Sequence, residues 1–206
     1  MLVFFFNDTA TTEIYTLSLH DALPIYSWHS IIYDRPRPEL WTAQFTRGEE
    51  SFQQAFFNKN LSDKRHCLAS VWDGQTLRLF LDGHLMAQGS RVPNPTLPDR
   101  KASKHPALIG RAYSDFASKN GEYRHFYGTI GEIRVSKLAR YKVDYSGDFN
   151  VQNPFSSDSD TLALYHFDTG SGDVLKDSSG NGHHGKIHGA TWVNADGSPT
   201  DAVGNK

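Results

Sequence analysis

Residues 66–90, HCLASVWDGQTLRLFLDGHLMAQGS, constrain this chain more than any other stretch: two runs of strand-forming residues meet at Asp73-Gly74, and the second turns again at Asp82-Gly83. An Asp-Gly pair suits a two-residue type I′ turn, in which both central residues take positive φ; glycine does so freely and aspartate tolerates it. Between the turns Leu77, Leu79 and Leu81 alternate with Arg78, Phe80 and Asp82, the period of two that a pleated strand imposes. A helix would scatter these leucines around its circumference. The stretch therefore reads as a three-stranded meander with a leucine stripe facing a core.

A chain of 206 residues can form one sizeable β domain or two small ones, and two are not required. Its 21 Lys and Arg against 23 Asp and Glu give a formal charge of −2, so no basic excess marks a nucleic-acid or anionic-membrane partner. Aromatic residues make up 13%, which suits sheet faces and equally surfaces that stack sugars or peptides on rings. The single cysteine, Cys67, excludes an intrachain disulfide, a zinc ribbon and a CxxC redox site, and reads as a buried structural thiol.

Residues 1–25, MLVFFFNDTATTEIYTLSLHDALPI, share no pattern with residues 26–206. They lack a basic n-region and a small-residue cleavage site, and an apolar run of five residues cannot span a bilayer. The string resembles the conceptual translation of a sequencing-library adapter. The expectation is a leader outside the fold, with the opening strands and any export signal missing.

From Tyr26 onward, short strand candidates alternate with turn signals, as in a sandwich or barrel. They cover residues 27–33, 39–46, 51–57, the meander, 107–111, 123–136, 161–167 and 186–193. Four prolines in residues 91–106 mark a basic surface loop. In 123–136 the apolar parity changes between Ile130 and Ile133, which predicts a β-bulge near Gly131. Residues 151–160 read as a Ser/Asp/Pro linker and 194–206 as a disordered tail.

Three stretches together resemble the laminin-G-like jelly-roll family of the concanavalin A-like lectin and glucanase superfamily. HCLASVWDGQTLRLFLDGHLMAQG resembles its central meander; LIGRAYSDF with FYGTIGEIRVSKLARY resembles its closing strands; TLALYHFDTGSGDVLKDSSGNGHHGKIHGATWV is similar to its opening segment. The resemblance implies an all-β, antiparallel jelly-roll β-sandwich, incomplete at its N-terminus, over residues 26–150. The opening-type segment at 161–193 either packs back on that sandwich as an added strand or begins a second copy. The implied function is a non-catalytic binding module of a larger, exported bacterial protein, recognising a glycan or a surface protein at the cell surface. The alternatives are a glycoside hydrolase-related domain and a spacer without a ligand.

Retaining glycan cleavage needs two carboxyls about 5–5.5 Å apart, which closely spaced acids on one strand face would supply. Here Glu132 is followed two residues on by Arg134, which is expected to pair with it, while Asp168 and Asp173 flank a Gly-rich turn without a strand to hold them. No enzyme is expected. Asp177, Ser179 and Asn181, with Gly182 in the sixth place, match the start of a calcium loop, making Ca²⁺ the one candidate cofactor. The alternative is an Asx-rich turn whose side chains hold their own backbone. His183-His184 reads as loop histidines, since strand neighbours point to opposite faces. Trp28, Trp41, Trp72 and Trp192 divide between core packing and a sugar-stacking platform.

Overall fold

The structure is a computed structural model that describes residues 2–7, 13–14, 17–19, 29–33, 40–47, 50–59, 61, 64–90, 107–110, 126–141 and 150–200. Among them every regular element is a β-strand. These are β1 (Leu2–Asn7), β2 (Glu13–Ile14), β3 (Leu17–Leu19), β4 (His29–Tyr33), β5 (Leu40–Arg47), β6 (Glu50–Asn58), β7 (His66–Trp72), β8 (Leu77–Leu81), β9 (His84–Gln88), β10 (Ala107–Ile109), β11 (Phe126–Tyr127), β12 (Thr129–Ser136), β13 (Thr161–Tyr165), β14 (Val174–Leu175) and β15 (Gly185–Ile187). All pairings between them are antiparallel. A six-stranded sheet runs β13-β12-β1-β7-β8-β9, a four-stranded one β10-β3-β15-β14 and a three-stranded one β4-β5-β6, while β11 pairs with β2. No helix among the described residues is long and apolar enough to cross a membrane. The loop at 91–106 and Trp28 lie outside the described residues.

The meander forms as β7, β8 and β9. Its second turn is a two-residue one, Leu81 opposite His84, with Asp82 and Gly83 at φ 51° and 88°. The first turn differs from expectation. Four residues, 73–76, separate the paired Trp72 and Leu77, and of the Asp-Gly pair only Gly74 takes positive φ. The reason is the Asp73 carboxylate, whose Oδ1 accepts the N–H groups of Gln75 and Thr76 at 2.8 Å each and so folds the backbone into an Asx turn. Its other oxygen binds Arg78.

The leucine stripe is core. Leu68, Leu77, Leu79 and Leu81 pack against Ala55 and Phe57 of β6 and against Leu61. Each fully buried leucine contributes about 1.5–3 kcal/mol. The opposite face of β7 and β8 is also covered: Cys67, Ala69, Val71 and Phe80 form a second cluster with Phe155 and with Leu164 from residues 161–165. Residues 151–160 are therefore more than a linker. Phe155 is 2% exposed, its N–H donates to Glu132 Oε1 at 2.8 Å, and its ring lies 4.4 Å from the Arg134 guanidinium carbon.

The bulge predicted near Gly131 is present: Phe5 pairs with Glu132 and Phe6 with Ile130, so the glycine has no partner on β1. That strand belongs to the stretch expected to lie outside the fold. The structure instead hydrogen-bonds Leu2–Asn7 between β7 and β12, where a short run of Leu, Val and Phe meets the strand preference of such residues. At the other end, Thr161–Tyr165 adds to β12 as an edge strand, Ile133 opposite Tyr165 and Arg134 opposite Leu164. The expected strand at 186–193 shortens to β15, and the expected disorder does not reach back to 194–200. There Asn194 N–H donates to Ser198 O and Gly197 N–H to Asn194 O, at 2.8 and 2.9 Å, and the Thr200 hydroxyl reaches Gly170 O at 3.2 Å.

Candidate functional site

An edge strand exposes a row of unpaired N–H and C=O groups, and the loop at 177–184 occupies the free edge of β13. Asp177 Oδ1 accepts the N–H of Leu164 at 2.9 Å, and Ser178 N–H donates to Leu164 O at 2.7 Å. Asn181 Nδ2 donates to Thr161 O and Leu162 O at 2.9 and 3.0 Å. The three expected calcium ligands do come together, but on the backbone of β13.

Asp177 is 4% exposed and its carboxylate is saturated. Besides Leu164, it accepts Ser179 N–H at 2.9 Å, the Ser179 hydroxyl at 2.8 Å and His183 N–H at 2.9 Å. Four donors fill the four lone-pair sites that a cation would need. Burial alone would push this carboxyl up, yet the bonds from Leu164, Ser179 and His183 outweigh it and hold the pKa below the ordinary value. In this arrangement the side chains hold backbone, as the Asx-turn alternative has them. The histidines belong to the same brace: Asp177 N–H donates to His184 Nδ1 at 3.0 Å, and the Tyr165 hydroxyl donates to His183 O at 2.6 Å. Among the described residues no three His, Cys, Asp or Glu side chains gather as a metal cage.

On the covered face of the six-stranded sheet, Glu132 and Arg134 each find other partners rather than one another. Glu132 Oε1 lies 2.7 Å from His166 Nδ1 and accepts Phe155 N–H, while Oε2 is buried without a hydrogen bond. Arg134 donates to Gln152 Oε1 at 3.2 Å and to the Tyr141 hydroxyl at 3.0 Å. Asp168 and Asp173 are exposed turn residues. Cys67 is buried, and that burial, reinforced by the nearby Asp82 carboxylate, pushes its thiol up to about 12, so it is no nucleophile near neutral pH. Trp72 is half-buried against the leucine cluster.

A cleft of about 70 Å³ lies at the rim of a further core cluster, built on Ile133, Ala163, Tyr165 and Leu175, and is lined among others by Ile109, Ile130, Phe167, Ile187, Thr191 and Trp192. Its walls are fixed. Phe167 stands at φ 53°, a conformation that strains a bulky side chain by about 1–3 kcal/mol and recurs at ligand sites. Trp192 Nε1 donates to Gly172 O at 2.8 Å, and the Thr200 hydroxyl holds Gly170 O, so both glycines of the 168–172 turn are tied down. Trp192 is one of the four tryptophans that the sequence marks as stacking candidates. Phe167 carries no such mark, because nothing in HFDTGSG signals a positive φ at the aromatic instead of at a glycine.

A scan against protein-family models finds no match to this chain, and no curated protein matches it significantly.

Proposed function

We propose that this chain is a binding module without catalytic activity, folded as a laminin-G-like jelly-roll sandwich and presented outside the cell by a larger bacterial protein. Its ligand is a glycan, taken up at the cleft between Phe167 and Trp192. The observation that carries this reading is the cleft itself: two aromatic walls, one held in a strained conformation and the other pinned by its indole N–H, form a pocket before any ligand arrives. Such pre-organisation lowers the entropy lost on binding, and aromatic faces with nearby hydroxyls suit the C–H faces of a sugar.

The acids argue for binding over cleavage. Glycoside hydrolysis requires two carboxyls facing one bond. Glu132 lies beneath Phe155 and is bonded to His166, and Asp177 is saturated by donors. Screening the chain on a glycan array tests the proposal. At least one glycan should bind, and Thr191→Arg, a change at an exposed rim position, should abolish the signal while leaving Tm unchanged. An array with no binder rejects the glycan reading in favour of a spacer; release of reducing sugar from β-glucans rejects the non-catalytic one.

A further inference from the structure

We propose that Asn181-Gly182 is a deamidation site, and that conversion there releases the cap on the free edge of β13. Cyclisation at an asparagine needs an accessible side-chain amide, a following residue without a side chain to hinder ring closure, and a backbone free to bring the two together. The first two are met at the surface. Asn181 and Gly182 are both exposed, and among the described residues no atom stands within 4 Å of where a Cβ on Gly182 would lie. In the reaction the backbone nitrogen of Gly182 attacks the side-chain carbonyl carbon of Asn181. That C–N bond forms as the bond to Nδ2 breaks, and ammonia leaves with the former amide proton of Gly182. Water then opens the cyclic imide to aspartate or isoaspartate.

The fold withholds the freedom of the backbone. Asn181 Nδ2 donates to Thr161 O and Leu162 O, Asn181 N–H donates to the Ser179 hydroxyl oxygen at 3.2 Å, and that hydroxyl reaches Leu162 O at 3.2 Å. Leaving group and backbone are thus both tied to β13, and ring closure waits on opening of the loop. The same bonds make the conversion consequential. Aspartate in this place has only acceptors to turn toward the two carbonyl oxygens, so both bonds from Nδ2 are lost. Isoaspartate also lengthens the backbone one residue before His183, whose N–H is bonded to Asp177 Oδ2 and whose carbonyl accepts the Tyr165 hydroxyl. Either product removes a donor that covers the sheet edge.

Incubating the full chain at mildly alkaline pH, folded and in concentrated urea, and following Asn181 by peptide mapping with mass spectrometry tests the proposal. Asn120-Gly121 is a second such pair, so an Asn120→Gln background isolates the effect. The unfolded chain should convert Asn181, and the folded chain should do so about tenfold or more slowly, the protection expected of hydrogen bonds that must open first. Deamidated protein separated by ion exchange should melt about 3 °C or more below the unreacted fraction, and Asn181→Asp should show a fall in Tm of the same sign. Absence of conversion in urea would overturn the site, and equal rates in the two states would overturn the hold that β13 has on the amide. An unchanged Tm in both the deamidated fraction and Asn181→Asp would overturn its role as a cap.

Discussion

The Asp177 carboxylate accepts the backbone N–H of Leu164 at 2.9 Å, so an acid from the loop after β14 closes the edge of β13. Removing it leaves the N–H groups of Leu164, Ser179 and His183 without this acceptor. Asp177→Ala should lower stability by about 2–4 kcal/mol, given what charged hydrogen bonds and stranded donors are worth, read by urea denaturation. Asp177→Asn, which keeps one accepting oxygen, should lose less. Adding millimolar calcium should leave the wild-type Tm unmoved, since the carboxylate has no open lone pair. A rise would mean that the loop opens to take the ion.

The same carboxylate makes a contribution to acid stability whose sign is fixed. Its folded pKa lies below the ordinary value, so the folded state holds fewer protons than the unfolded one as pH falls through the unfolded pKa near ~3.9. The stabilisation is fully present above that pKa and disappears as pH drops through the folded value. In Asp177→Asn the decline in stability below about pH 4 should be shallower than in the wild type. Parallel curves would assign the acid sensitivity to other carboxylates.

Phe155 makes the segment after β12 a structural cover. A buried phenylalanine cut to alanine typically costs about 3–5 kcal/mol, and here the loss also uncovers Cys67, Val71 and Phe80. Phe155→Ala should thus unfold at markedly lower denaturant, while the exposed neighbour Ser156→Ala should shift by no more than about 0.5 kcal/mol. Similar small effects from both would make the segment a plain linker.

What the sequence disclosed divides by the kind of signal. Leu77, Leu79 and Leu81 declared a strand because period-two patterning is local, and the parity change around Gly131 declared a bulge for the same reason. Asp73-Gly74 misled because a dipeptide does not say whether the aspartate will adopt positive φ or fold its side chain over the next two N–H groups. Phe155 was hidden because one aromatic in a Ser/Asp/Pro context carries no periodicity, and its burial depends on Glu132 and Arg134, which lie on β12. The 177–184 loop showed its chemistry but not its target. Asp177, Ser179 and Asn181 have oxygen atoms spaced for a cation, and only the position of β13 shows that they face backbone groups. The cleft was the least legible part, since its walls come from separated strands and turns.

Cys67 offers a test of whether the sheet stays closed. With the thiol at about 12, roughly one part in ten thousand is thiolate at pH 8, against about a quarter for an ordinary cysteine. A thiol reagent should label none of the native protein over minutes and one equivalent in concentrated guanidinium. Rapid labelling of the native chain at pH 8 would show that the cover provided by Phe155 and Val151 opens on that timescale.

The last prediction concerns β1. Leu2–Asn7 is hydrogen-bonded along both edges, Leu2 opposite Val135 and Ser70 and Phe4 opposite Ile133 and Leu68, so it forms the seam between the meander and the β12–β13 pair. Without it two long strands lose their ladder partners in the middle of a sheet, where unpaired backbone groups are costly. Deleting residues 1–25 should therefore lower Tm by about 10 °C or more, or abolish a cooperative transition. The same deletion with an unrelated Val- and Phe-rich strand fused ahead of residue 26 should restore part of the loss, since pairing needs strand propensity more than a particular side-chain order. An unchanged Tm after the simple deletion would instead mean that β7 and β12 close on each other and that the leader stands outside the fold.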